Sequence, residues 1–221
     1  MSSLLDKLMT ANQADWNRYV QHSFVRQIGD GTLDRACFEH YLKQDYIFLI
    51  QYARAYGLAA FKSSNLTELN HAKGLMSAIV DIEMNLHVEY CASWGIDQST
   101  LENTVESTAN MAYTRYVMER GLAGDLLDLN VALAPCVIGY AEVANWLSAQ
   151  SFLKIEGNPY APWIDMYTSD EYQEVAQAHR DIINQVELSQ LTEQRTADLV
   201  STFGAATRLE VAFWQMGLDI L

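Results

Sequence analysis

Apolar residues recur every three to four positions along almost the whole chain, the spacing that lines one face of an α-helix. In segment 3–22, Leu4, Leu5, Leu8, Met9, Ala11 and Trp16 form such a stripe, with Ser2 or Ser3 placed to cap its start. Gly29-Asp30-Gly31-Thr32 reads as a loop, with Thr32 as cap of a second helix, 33–61, rich in aromatic side chains. Ser63-Ser64-Asn65 breaks that helix, and a third covers 66–93, ending near Trp94-Gly95. Residues 96–104 are polar and loop-like. A fourth helix, 105–121, ends at Gly121, and a fifth runs from Leu126 to Gln150, interrupted by Pro135. Gly157-Asn158-Pro159-Tyr160 is a turn. A short helix over 161–167, an acidic helix start at Ser169-Asp170-Glu171 for 170–186, and a last helix from Leu191 to Met216 complete the pattern.

Alternating strand patterns and Asn-Gly hairpin turns do not occur, and no repeat of fixed period is present. The expected fold is all-α, one domain over 1–221 built as a bundle of seven to eight helices. Several helices carry apolar residues on more than one face, which suits a layered bundle within an oligomer. The chain has 221 residues, enough for a large core, and half of them are hydrophobic. No apolar run is read as a membrane span, and the start lacks the charged-then-apolar order of a secretory signal, so a cytoplasmic protein is expected. The net charge of −14, with Lys and Arg scattered, argues against nucleic acid and anionic membranes as partners. The three cysteines, Cys37, Cys91 and Cys136, show neither paired nor zinc-knuckle spacing.

A few positions depart from the apolar bundle pattern. Pro135-Cys136 lies inside the fifth helix, where proline leaves a carbonyl without its helical donor. Cys136 is either a nucleophile facing a pocket or a small core filler. Tyr140, four residues on, shares its face. Asp45 follows Gln44 mid-helix among Tyr41, Leu42, Tyr46, Phe48 and Leu49. It is either a buried carboxylate that reads an amino group or part of a solvated face. Glu210 stands among Leu209, Val211, Ala212, Phe213 and Trp214, as a general acid with a raised pKa or as an ion-pair partner of Arg208. Glu83 and His87 are four apart, a spacing that puts two metal ligands on one face, but the Glu-x-x-His and His-Glu-x-x-His signatures are absent. No glycine-rich phosphate loop is present.

Five runs in order resemble the thiaminase II (TenA-like) family. They are Phe38 to Tyr46, Ala112 to Tyr116, Ala134-Pro135-Cys136 through Glu142, Trp163 to Tyr167, and Glu210 with Phe213. The resemblance spans nearly the whole chain. It implies the haem-oxygenase-like helical fold and the cleavage or deamination of thiamin-related pyrimidines, without metal or organic cofactor, in a homotetramer. By motif it makes Cys136 the nucleophile, Glu210 the acid that protonates a ring nitrogen, and Asp45 the group that holds the pyrimidine amino group and tunes the thiol. Tyr113 and Tyr140 correspond to pocket tyrosines, and Tyr167 and Phe213 to aromatic walls. Phe48 stands where many members have tyrosine, so one hydroxyl is missing. The expected reaction is hydrolysis of an aminomethyl-aminopyrimidine to hydroxymethylpyrimidine and ammonia, with thiamin cleavage as a related activity. The alternatives are a metal-dependent oxygenase built on Glu83 and His87, and a non-enzymatic pyrimidine-binding regulator.

Overall fold

The computed structural model describes residues 3–220. Every regular element among them is helical: α1 Leu4–Ala11, α2 Gln13–Val20, α3 Ser23–Asp30, α4 Arg35–Lys62, α5 Leu66–Ser77, α6 Met84–Ser93, α7 Gln98–Glu102, α8 Thr108–Ala123, α9 Leu126–Ser148, α10 Ala161–Thr168, α11 Asp170–Asn184 and α12 Glu193–Leu218. A π-helical turn, Ala78–Glu83, joins α5 directly to α6, and a 3₁₀ turn covers Leu188–Gln190.

The all-α reading holds, and the segments outnumber the seven to eight expected because short polar breaks subdivide them. The first stripe divides at Asn12 into α1 and α2. Ser3 caps α1 with a reciprocal box: its Oγ accepts from the Asp6 N–H at 3.2 Å, and Asp6 Oδ2 accepts from the Ser3 N–H at 3.0 Å. The alternative cap, Ser2, lies outside the described residues. An additional helix, α3, is capped by His22 Nδ1, which accepts from the Phe24 N–H, and it ends at Gly31, whose φ of 76° suits a residue without Cβ. Asp34 rather than Thr32 caps α4, accepting from the Ala36 N–H at 2.8 Å. Thr32 is held instead by Asp30 Oδ1, at 2.9 Å from its N–H. The polar stretch 96–104 contains α7, started by Asp97, which accepts from the Thr100 N–H at 2.7 Å.

Helical conformation runs through Pro135 without a break. Residues 131–134 beside it are wholly buried, so packing holds the helix where one hydrogen bond is lost. Against the expectation of no spanning segment, α9 is long and apolar enough to cross a membrane; 78% of its most apolar window is nevertheless buried within the protein, as in a core helix.

The chain packs as two compact units. Residues 1–33 and 130–215 form the first, and 34–129 with 216–221 the second. Aromatic rings fill the first: Trp16 stacks on Phe203 at 5.4 Å, and Phe24 on Trp214 at 5.2 Å. Burying each such side chain contributes about 1.5–3 kcal/mol. Asn158 ties the turn before α10 to α3, donating from Nδ2 to the Ile28 carbonyl at 2.8 Å, and the Tyr160 hydroxyl donates to the Leu33 carbonyl at 2.5 Å. In the second unit α4 packs on α5, α6 and α8. Phe38 meets Trp94 at 4.9 Å, and Tyr52 lies edge-on to Tyr56 at 5.4 Å.

Candidate functional site

Cys136, Tyr140, Tyr167, Glu210 and Phe213 fall in the first unit; Asp45, Phe48 and Tyr113 fall in the second. In the first, α9 carries Cys136 and Tyr140 one turn apart, on one face. Cys136 is partly exposed, whereas Cys37 and Cys91 are buried. Burial raises the Cys37 thiol and pushes Cys91 up to about 12, with the Asp45 carboxyl adding to the rise. Both stay protonated at neutral pH, so among the three thiols Cys136 is the accessible one.

Tyr140 anchors a cluster of rings. Its centroid lies 4.7 Å from Tyr167, 5.2 Å from Trp214 and 6.0 Å from Trp163, and Tyr167 sits 4.8 Å from Trp163. Edge and tilted geometries of this kind hold flat faces rigidly. The Tyr172 hydroxyl donates to the Val137 carbonyl at 3.3 Å, fixing α11 to the turn of α9 beside the thiol. Glu142 at the next turn is paired with Arg180 at 2.6 Å. Glu210 on α12 is 1% exposed, and Phe213, one turn on, lies edge-on to Trp214 at 6.4 Å. Arg208, weighed as the partner of Glu210, reaches Asp15 at 3.1 Å.

In the second unit, Asp45 is buried, so the solvated-face reading fails. Burial first, and the nearby Glu83 second, hold its carboxyl well above the ordinary range. His87 Nδ1 lies 3.5 Å from Asp45 Oδ2, and its Nε2 is 2.9 Å from the Leu42 carbonyl oxygen. Burial lowers the His87 pKa, while the Leu42 bond works the other way. Glu83 is pushed up to about 7 by burial. Neighbouring Gln44 braces the start of α8: its Nε2 donates to the Val105 carbonyl, its Oε1 accepts from the Ser107 N–H, both at 2.9 Å, and Asn110 Nδ2 donates to its backbone carbonyl at 2.8 Å. Phe48 stacks on Tyr52 at 5.2 Å and tilts against the fully buried Tyr113 at 5.3 Å.

The sequence reading treated His87 only as a metal ligand with Glu83. Both ring nitrogens of His87 instead face protein groups, and among the described residues no set of three or more His, Cys, Asp or Glu is arranged to hold a metal. Nothing in the sequence signalled the Asp45–His87 pairing, which joins helices 42 residues apart. Trp163 and Trp214 were missed as members of the Tyr140 cluster; the run Trp163 to Tyr167 was the one available hint.

Residues 10–220 match the TENA/THI-4/PQQC family. An uncharacterised protein of Haemophilus influenzae is 41% identical over 217 residues, 98% of this chain and 100% of that one. The aminopyrimidine aminohydrolase of Halalkalibacterium halodurans is 34% identical over 214 residues, covering 94% of this chain and 92% of its own. A crystal structure described as a TenA family transcription regulator from Silicibacter sp. TM1040 superposes with a TM-score of 0.91 at 41% identity, covering 99% of this chain and 97% of that one. A Shewanella denitrificans domain described as having a heme oxygenase-like fold, at 14% identity and a TM-score of 0.73 over 97% of this chain and 92% of its own, shares the fold.

Proposed function

The chain belongs to the TENA/THI-4/PQQC family, and we propose that it hydrolyses an aminomethyl-aminopyrimidine to hydroxymethylpyrimidine and ammonia in thiamin salvage, with cleavage of thiamin as a lesser activity. The observation that carries this reading is the similarity, over nearly the full length of both chains, to an aminopyrimidine aminohydrolase. The family match runs through both compact units, which supports treating 1–221 as one functional domain.

The residues suit the chemistry. An aminopyrimidine is flat and presents an amino group beside a ring nitrogen. Tyr140, Tyr167 and Phe213 offer aromatic faces for it, and Tyr113 with Phe48 offers others. Asp45 reads the amino edge as a hydrogen-bond acceptor. Glu210 gives its proton to a ring nitrogen, and the ring carbon so activated accepts the Cys136 thiolate. The departing amine, in its ammonium form, takes the electron pair as its bond to carbon breaks and leaves as ammonia, which collects the proton that water releases in the next step. Water adds to the exocyclic double bond left behind, the thiolate is expelled, and the ring nitrogen returns its proton to Glu210. No metal or organic cofactor enters this sequence. That Asp45 and Cys136 serve the same substrate molecule rests on the family resemblance.

Ammonia release from the aminomethyl-aminopyrimidine by the purified protein is the test. Cys136→Ala lowers it by about a thousandfold or more, the scale of losing a nucleophile that acts within a set. Release that persists undiminished in the alanine variant overturns the mechanism, and tight pyrimidine binding without turnover in the parent favours a binding role instead. The net charge of −14 opposes direct binding of nucleic acid in such a role. A homotetramer in the cytoplasm completes the proposal. Exposed Leu66, Leu69, Val80, Ile82 and Leu86 on the run from α5 to α6 support self-association, and sedimentation at a monomeric mass refutes it.

A further inference from the structure

Asp45 and His87 form a buried acid–base pair whose proton arrangement is fixed from the His87 end. A carbonyl oxygen only accepts, so the 2.9 Å contact to Leu42 makes His87 Nε2 a donor. In the neutral ring Nδ1 then carries the lone pair, and that lone pair faces Asp45 Oδ2 at 3.5 Å. Both side chains are buried, 8% and 9% exposed, so neither exchanges a proton readily with water. Two acceptors do not face one another in a buried site without a proton between them.

We propose that His87 is a positioning residue for Asp45: the pair holds one proton, which rests on Asp45 in the empty protein and moves to His87 Nδ1 when the amino edge of the pyrimidine arrives. The Asp45 O–H bond breaks and a His87 N–H bond forms, so the pair keeps its net charge while Asp45 becomes the acceptor that the substrate requires. This inference rests on the role of Asp45 given under the proposed function.

The groups around the pair agree with a single shared proton. Glu83, on the π-helical turn, disfavours the Asp45 carboxylate. Cys91, one turn beyond His87 on α6, stays a thiol, and Lys43 on α4 acts on Cys91 in the opposite sense to Asp45. Among the other helices packed on α4, α8 carries the phenol of Tyr113 and the uncharged Asn110 and Thr114, α5 carries His71, which burial drives towards its neutral form, and α7 buries Leu101. These surroundings favour the single-proton state of the pair, and from that state substrate binding needs only an internal transfer.

The experiment replaces His87 with glutamine, which can still donate to the Leu42 carbonyl but cannot take up the proton. The substrate is the aminomethyl-aminopyrimidine, and the pH profile of kcat/KM for ammonia release is compared with the parent. In His87→Gln, Asp45 must lose its proton to water, so the acidic limb moves up by about one to three pH units, and activity recovers above it. An unshifted limb with a uniform loss at every pH marks a merely structural histidine and overturns the inference. A second readout needs no turnover: the His87 imidazole is titrated by nitrogen NMR in the parent and in Asp45→Asn. Loss of the acid proton that Nδ1 accepts raises the pH at which His87 becomes neutral; identical titrations overturn the pairing. A parent that releases no ammonia fails the proposed function, while this titration still decides the pair.

Discussion

Gly139 lies on α9 between Cys136 and Tyr140, and its absent side chain is what lets Tyr19 approach the helix. A methyl group placed there would sit 2.2 Å from Tyr19 Cε1 and 2.7 Å from its hydroxyl oxygen. Carbon atoms rest comfortably at about 3.5–4.0 Å, so the methyl arrives about 1.3 Å too close. Tyr19 has little freedom to yield: it is fully buried, edge-on to Trp16 at 5.7 Å and stacked on Trp214 at 6.1 Å. Two effects oppose in Gly139→Ala. Alanine gains about 1 kcal/mol over glycine inside a helix. Overpacking costs about 1–3 kcal/mol, and a rigid aromatic neighbour puts this site at the upper end. The net loss is about 2 kcal/mol, or about 4–8 °C in Tm for a chain of this length. Urea unfolding with an unchanged m-value measures it. The cause is isolated by repeating the substitution in a Tyr19→Leu background, where the methyl has room and the same change becomes stabilising by about 1 kcal/mol. An equal cost in both backgrounds, or a parent-like Gly139→Ala, refutes the reasoning.

Three further outcomes follow from the site. Mild alkylation of the native protein at neutral pH labels Cys136 ahead of Cys37 and Cys91, which are buried with raised thiol pKa values; mass spectrometry that finds Cys91 modified first contradicts this. Glu83 keeps its proton to about 7 when folded, against the ordinary 4.5, so the folded state binds more protons between those limits and stability falls as pH rises through them. Glu83→Gln should therefore match the parent below about pH 4.5 and gain on it steadily towards about pH 8; parallel urea midpoints across that range count against the buried-acid account. Glu210→Gln keeps the shape of a side chain that is 1% exposed but removes its transferable proton, so kcat for ammonia release falls about a hundredfold to ten-thousandfold while the unfolding midpoint stays within about 1 kcal/mol of the parent.

The helical class and the positions of the long helices were legible because they depend on local spacing alone. Α4, α8, α9 and α12 lie close to their expected spans. The misses are competitions between short-range effects that a pattern does not rank. Thr32 and Asp34 are both capping residues; the Thr32 hydroxyl is turned back to donate to Asp30 Oδ1, while Asp34 accepts from the Ala36 N–H and starts α4. Pro135 carries a breaker signal, yet the buried residues around it keep α9 helical. Within the site, Cys136 and Tyr140 were readable as neighbours because one helix carries both. The Tyr140 rings come from α9, α10 and α12, and the His87 partner of Asp45 from a separate helix, so no sequence spacing could have joined them.

The run from α5 to α6 shows how one local irregularity redirects chemistry. Ile79, Ile82 and Leu86 stand at helical spacing, so the plain period would bury all three. The protein instead leaves Ile82 60% and Leu86 50% exposed and buries His87. The buried line is Ala72, Ile79, His87 and Cys91, with its longest step, from Ile79 to His87, crossing the π-helical turn. A π turn takes up an additional residue, so every side chain after it is rotated relative to the α-helical register. The rotation costs buried hydrophobic area at two positions, a loss of about 1.5–3 kcal/mol for each side chain left in water. What it supplies is a histidine facing the Asp45 carboxyl and a glutamate close enough to raise its pKa. A helix selected only for packing would have kept the apolar stripe inside. Ile82 and Leu86, turned outward, join exposed Val80 in the apolar surface proposed for association with further copies of the chain. The π turn thus links the environment of Asp45 to the proposed assembly.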